Sequence, residues 1–173
     1  MKRLSFRWLE RPLLKGAAFL HYTSQQERIE AEELGEFAPG VVLPLGMDIE
    51  ALQGVLNVEP FLARWPRAIE QQNVLYLSRL DPKKGLELLI GAFAKLKTNG
   101  LKALLVIAGT GEPEYVAELK RLVARQGLSS DVLWTGHLSG ELKRAAFGVA
   151  NAFVLPSTSE NFGLAAVEAL AVG

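Results

Sequence analysis

The stretch SENFGLAAVEAL, residues 159–170, places two carboxylates, Glu160 and Glu168, eight positions apart. From Gly163 to Gly173 every residue except Glu168 is apolar or glycine. An apolar run of this kind predicts a buried helix. A carboxylate inside it is costly unless it is hydrogen-bonded or paired. Glu168 lies four residues after Leu164 and shares its face. Its charge can be met by a cation such as Arg79, by the hydroxyls of a ligand, or by water at a solvated edge. Glu160 has the simpler option of complementing the dipole of the helix that follows. The unpaired N–H groups of that helix start form an anion pocket, and Gly163 brings no side chain to obstruct it.

Three other loops carry residue types suited to the same chemistry. In SRLDPKKG, residues 78–85, Arg79 and Lys84 follow an apolar run. An arginine fork and a lysine point charge can clamp a phosphate between them. In AGTGE, residues 108–112, Gly109 and Gly111 permit close backbone approach or positive φ. In TGHLSG, residues 135–140, His137 can bond a ligand base or cap the next helix, and the capping role is preferred. None of these loops is G-x-G-x-x-G, which argues against a dinucleotide site.

These loops need elements to position them. From residue 73 onward, continuous apolar runs alternate with helical patterns. Strands are expected at 74–78, 103–108, 132–135 and 152–155. Helices are expected at 86–96, with Leu86, Leu89, Ile90 and Phe93 on one face, at 113–126, from Ser139 to about 149, and from about 162 to the end. This is the pattern of a parallel sheet buried on both faces, and the fold class is a Rossmann-like, doubly wound α/β domain. In such sheets ligands bind beyond the carboxyl ends of the strands, where all four loops fall. Residues 1–50 read as a separate piece, with strands near 18–23 and 41–45 and a helix opened by a Ser24/Glu27 capping box. Residues 51–72 read as a connector. A doubly wound sheet usually has more than four strands, so a longer parent fold is expected.

The bulk numbers exclude several classes. The chain has 173 residues, with 19 Lys+Arg against 19 Asp+Glu, so no global field favours nucleic acid or an anionic membrane. It has no cysteine and two histidines far apart, His21 and His137, so neither a thiolate nor a histidine metal site is expected. Residues 1–16 hold Leu4, Trp8 and Leu9 among basic residues. A helix packed on its own domain is preferred there over one lying on a membrane surface. No secretory leader or transmembrane span is expected.

Taken together, SRLDPKKG, VIAGTGE, TGHLS and PSTSENFGLAAVEALAVG resemble the C-terminal half of GT-B glycosyltransferases of family 4, over about residues 73–173. Glu160 and Glu168 match that family's E-x7-E motif. Residues 1–50 then look like a remnant of the N-terminal domain and 51–72 like the interdomain connector. The resemblance implies transfer of a sugar from a nucleotide-diphosphate sugar to a glycan, lipid or small-molecule acceptor. It implies retention of configuration and no metal or other cofactor. It gives Arg79 and Lys84 the diphosphate, Glu160 the donor sugar, Asn161, Phe162, Gly163 and Leu164 the backbone contacts to sugar and phosphate, and Glu168 the ribose hydroxyls. A cytoplasmic setting is implied, with peripheral contact at the inner membrane face for the longer relative. Three other readings compete with this one: an epimerase or phosphorylase of the same fold, a non-catalytic nucleotide- or partner-binding remnant, and a dinucleotide-binding domain. The resemblance also implies that this stretch alone has little transferase activity, because closure over the donor needs two domains.

Overall fold

The computed structural model describes residues 5–47, 52, 54, 56–69, 71–160 and 162–173. It divides into two compact units. One holds the described residues up to Met47 together with Glu160, Phe162 and Gly163; the other holds the rest.

The first described element of the first unit is a π-helical turn, Phe6–Glu10, that continues into helix α1, Arg11–Gly16. Strand β1 (Leu20–Tyr22) pairs in parallel with β2 (Gly40–Val42), and helix α2 (Gln25–Glu33) connects them. Trp8 and Leu9 are exposed, contrary to the expectation that this helix packs on its own domain through them. Leu4, expected on the same face, lies outside the described residues.

The start of α2 follows from its sequence. Ser24 has extended backbone, and its hydroxyl accepts from the Glu27 amide at 3.1 Å. The Glu27 carboxylate reaches back and accepts from both the hydroxyl and the amide of Thr23, each at 2.7 Å. Those two bonds, the hydroxyl's first, hold the Glu27 carboxyl below the usual carboxylate range. A carboxyl lowered on folding stabilises the fold above its unfolded pKa, and that stability is lost as pH falls through the folded value. Glu27→Gln is therefore expected to lower the melting temperature at neutral pH. The gap from wild type should close on acidification. A gap that is constant with pH would show that the charge plays no part.

The second unit carries the main sheet. Its strands are β3 (Gln72–Leu77), β4 (Ala103–Ala108), β5 (Val132–Gly136) and β6 (Ala152–Phe153), all parallel, in the order β5-β4-β3-β6. Helix α3 (Glu59–Arg64) precedes the sheet; α4 (Leu86–Thr98), α5 (Pro113–Arg125), α6 (Gly140–Gly148) and α7 (Leu164–Val172) complete the alternation. Alternation of side chains along β4 divides the core. Ala103, Leu105 and Ile107 meet α4 and α5 through Leu86, Ile90, Phe93, Leu119 and Val123 on one face. Leu104, Val106 and Ala108 meet Phe61 of α3 and Ala145, Ala146 and Phe147 of α6 on the other. With helices on both faces every residue of β4 is buried, so the strand has no polar position. This is the doubly wound α/β fold expected from the apolar runs. The face of α4 predicted to be buried, Leu86, Leu89, Ile90 and Phe93, is its buried face.

Helix α7 differs from expectation. Its apolar composition predicts burial, yet none of its residues is buried, and Leu170 is 81% exposed. Ala169 and Val172 are its partly buried residues that pack against the core. The helix start also falls later than expected, at Leu164 instead of near Phe162.

Candidate functional site

The carboxyl ends of β3, β4 and β5 open onto one cavity of about 200 Å³. Leu77, Ser78 and Arg79 line it from the end of β3, Ala108, Gly109 and Thr110 from β4, and His137 and Leu138 from β5; Lys143 enters from α6. The loops are laced together by backbone bonds. The Ser78 amide donates to Ala108 O at 3.1 Å, Leu80 N to Thr110 O at 2.8 Å, and Gly109 N to Gly136 O at 2.8 Å. Arg79 is further anchored by its own carbonyl, which accepts from the hydroxyl of the fully buried Tyr76 at 2.8 Å. A buried phenol with its polar tip satisfied is a rigid support. The guanidinium therefore projects from a fixed backbone.

Gly109 and Gly111 are required by this lacing. A Cβ at Gly109 would lie 1.9 Å from Ser78 O, and one at Gly111 2.0 Å from Leu80 O. Both glycines let the loop after β4 press against the loop after β3. Gly109 still lines the cavity with Arg79. Gly111 lines a neighbouring cavity of about 510 Å³, with Val116, Lys120 and Trp134.

Glu168 has a cationic partner, and it is not Arg79. Lys143 Nζ donates to Glu168 Oε1 at 2.5 Å, and the two side chains are only 29% and 17% exposed. This resolves the problem of a carboxylate in an apolar helix without a fully solvated edge. It also ties Glu168 to the cavity, because Lys143 lines it. Two cations, Arg79 and Lys143, thus face one small cavity at the mouth of the sheet, with a part-buried carboxylate behind the second.

Lys84 does not line this cavity. It ends a 3-10 turn, Pro82–Lys84, which is capped by the Asp81 carboxylate accepting from Lys83 N at 2.9 Å. Gly85 follows with φ +69° and opens α4. Lysines just before a helix start oppose its dipole, and here that opposition is moderated in two ways. The lysines sit in the preceding turn, and Glu87 occupies the first turn of α4. His137 is exposed and lines the cavity, while the N-cap of α6 is Ser139, so the preferred capping role for His137 is not what the structure has. Glu160 is exposed, Phe162 is half-buried, and Gly163 has φ +71°; Asn161 lies outside the described residues. Leu164 is the first residue of α7 and is 43% exposed.

Residues 61–173 match the sequence model of the glycosyl transferases group 1. The chain belongs to this family. Among similar proteins, mannosylfructose-phosphate synthase of Agrobacterium fabrum is 32% identical over 76% of this chain and 30% of its own length. A glycosyltransferase of Methanocaldococcus jannaschii is 34% identical over 60% of this chain and 26% of its own. Among solved structures, sucrose-phosphate synthase of Thermosynechococcus elongatus superposes with a TM-score of 0.78 at 28% identity, over 95% of this chain and 41% of that one. HepE of Anabaena, solved in complex with UDP and glucose, superposes with a TM-score of 0.86 at 23% identity, over 99% and 47%. The chain thus spans between about a quarter and a half of the length of these relatives, and the shared fold is that of the GT-B glycosyltransferases.

For a member of the glycosyl transferases group 1, the residue that sequence reasoning missed is Lys143. A signal was present. Lys143 lies three and four residues before Ala146 and Phe147, both buried, so helical periodicity puts a lysine on the inward face of α6. That is the same anomaly as Glu168, with the opposite sign. Among the described residues, no cluster of His, Cys, Asp or Glu could hold a metal ion, and no helix is long and apolar enough to cross a membrane.

Proposed function

We propose that this chain carries the donor site of a retaining glycosyltransferase, which moves a sugar from a nucleotide-diphosphate sugar to a glycan, lipid or small-molecule acceptor. The observation that carries the reading is the cavity at the carboxyl ends of β3–β5. It is faced by Arg79, His137 and Lys143 and backed by Glu168. Its position is where open parallel sheets bind ligands. Its charge suits an anion, and the Glu168 carboxylate paired with Lys143 suits hydroxyls.

In this reading Arg79 from the cavity wall and Lys84 from the turn outside its lining bind the diphosphate together and stabilise the charge that gathers on the leaving oxygen. Backbone amides around Asn161, Phe162, Gly163 and the start of α7 meet the phosphate and sugar. Glu160 faces the donor sugar. Glu168 accepts from the ribose hydroxyls. The reaction is placed in the cytoplasm, at the inner membrane face where the acceptor is a lipid. The domain reading, with 1–50 from an N-terminal domain, 51–72 as connector and 73–173 for nucleotide-sugar binding, belongs to the same proposal.

The test is thermal melting of the chain with UDP, GDP and ADP, each beside its nucleoside. A ligand that binds only the native state raises its stability by RT ln(1 + [L]/Kd). One nucleoside diphosphate is expected to raise the melting temperature while its nucleoside does not. A cooperative melt moved by none of them would overturn the donor site. A non-catalytic binding remnant would bind the diphosphate equally well. It is separated from the transferase by whether nucleotide-sugar is turned over to free diphosphate once an acceptor and both domains of the GT-B fold are supplied, since closure over the donor needs the two.

A further inference from the structure

We infer that Thr158 is a positioning residue that latches the cation loop, residues 78–85, to the loop after β6. The inference rests on the donor-site reading for its consequence but not for its geometry. Thr158 sits 75 residues from Lys83 in sequence, yet both its amide and its hydroxyl donate to the Lys83 carbonyl, at 2.9 and 3.1 Å. Two residues on from Lys83, Gly85 is seated against the same loop. A Cβ there would lie 2.1 Å from Pro156 O. Lys84 is therefore bracketed, held on one side through the Lys83 carbonyl and on the other through the Gly85–Pro156 contact.

A flexible lysine head gains nothing from a fixed Cα unless its target is equally fixed. A diphosphate clamp has that requirement, since binding gains affinity from groups that need not be ordered on arrival. Asp81, capping the turn from its start, fixes the remaining end of the segment. Residues 81–85 thus hold their shape by local bonds, and Thr158 fixes where that shape sits relative to the loop that leads to Glu160. The Thr158 side chain and the Lys83 backbone are exposed to water, so the hydroxyl's share is modest.

The latch predicts a specific pattern. Thr158→Val keeps the shape and the amide but removes the hydroxyl. It should weaken binding of the nucleoside diphosphate selected by the wild-type chain by about three- to tenfold, the scale of one hydrogen bond. It should leave the corresponding monophosphate unchanged, and Thr158→Ser should restore the diphosphate. Equal weakening of both nucleotides, no change in either, or failure of serine to restore would each overturn the latch. Amide hydrogen exchange reads the same contact without ligand. At position 158 and at Lys84 and Gly85, exchange should speed up in Thr158→Val relative to wild type and Thr158→Ser. If the wild-type chain binds no nucleotide, the donor reading fails. The latch then stands on faster exchange and falls on unchanged exchange.

Discussion

Gly85→Ala is expected to destabilise the chain by about 2–5 kcal/mol and to abolish nucleoside diphosphate binding at concentrations that saturate the wild type. Two costs add. At φ +69° an L-residue is strained, by about 1–2 kcal/mol. The new methyl would then lie 2.1 Å from Pro156 O, a backbone atom that can yield only by moving its loop, at about 1–3 kcal/mol. Against a total of about 5–15 kcal/mol for a domain of this kind, the loss is large. The two costs can be separated. Gly127, just past the end of α5, has φ +70° and, beyond its chain neighbours, no atom within 4 Å of its would-be Cβ. Gly127→Ala carries the strain alone. Denaturant midpoints for the two variants therefore measure the contact by difference. Equal losses would show that the loop after β6 gives way freely, and the bracketing of Lys84 would lose its second point of support.

What the sequence displays is local, and what it hides is contact between distant residues. Strand β4 and the inward face of α4 are legible because burial on both sides of a sheet, or on one side of a helix, imprints a pattern on consecutive residues. The four loops at the strand ends are legible for the same reason: each follows an apolar run that must end somewhere. Helix α7 misleads because composition reports only that a segment is able to be buried. Whether it is buried depends on which elements the topology brings to it, and here Ala169 and Val172 meet the core while no residue of the helix is buried. The glycines at 85, 109 and 111 announce a need for space without saying what fills it, and the carbonyls of Pro156, Ser78 and Leu80 are nowhere near them in sequence. Lys143 and Glu168 stand 25 residues apart. Each is odd in its own helix, but nothing local says that the two oddities answer each other.

That pairing gives the second large expectation. In Glu168→Ala, affinity for the nucleoside diphosphate should fall roughly ten- to a hundredfold, the equivalent of about 1.5–3 kcal/mol for hydrogen bonds to a charged acceptor. A carboxylate offers about four lone-pair sites on two oxygens. Lys143 engages Oε1, which leaves Oε2 to accept from the ribose hydroxyls. The prediction is thus about hydroxyls as well as about charge. The wild-type chain should bind the ribonucleotide more tightly than its 2′- or 3′-deoxy counterpart, and in Glu168→Ala that preference should vanish, which is the signature of a direct coupling in a double-mutant cycle. Lys143→Met tests the support. Without its ammonium, Glu168 is a part-buried charge with its ion-pair partner removed, a change that destabilises the fold and frees the carboxylate to reorient. Affinity should then fall while some preference for the ribose hydroxyls persists, because the acceptor is still present. If Glu168→Ala lowers affinity for ribo- and deoxyribonucleotides equally, Glu168 acts only as the counter-ion of Lys143, and the ribose is read elsewhere in the cavity.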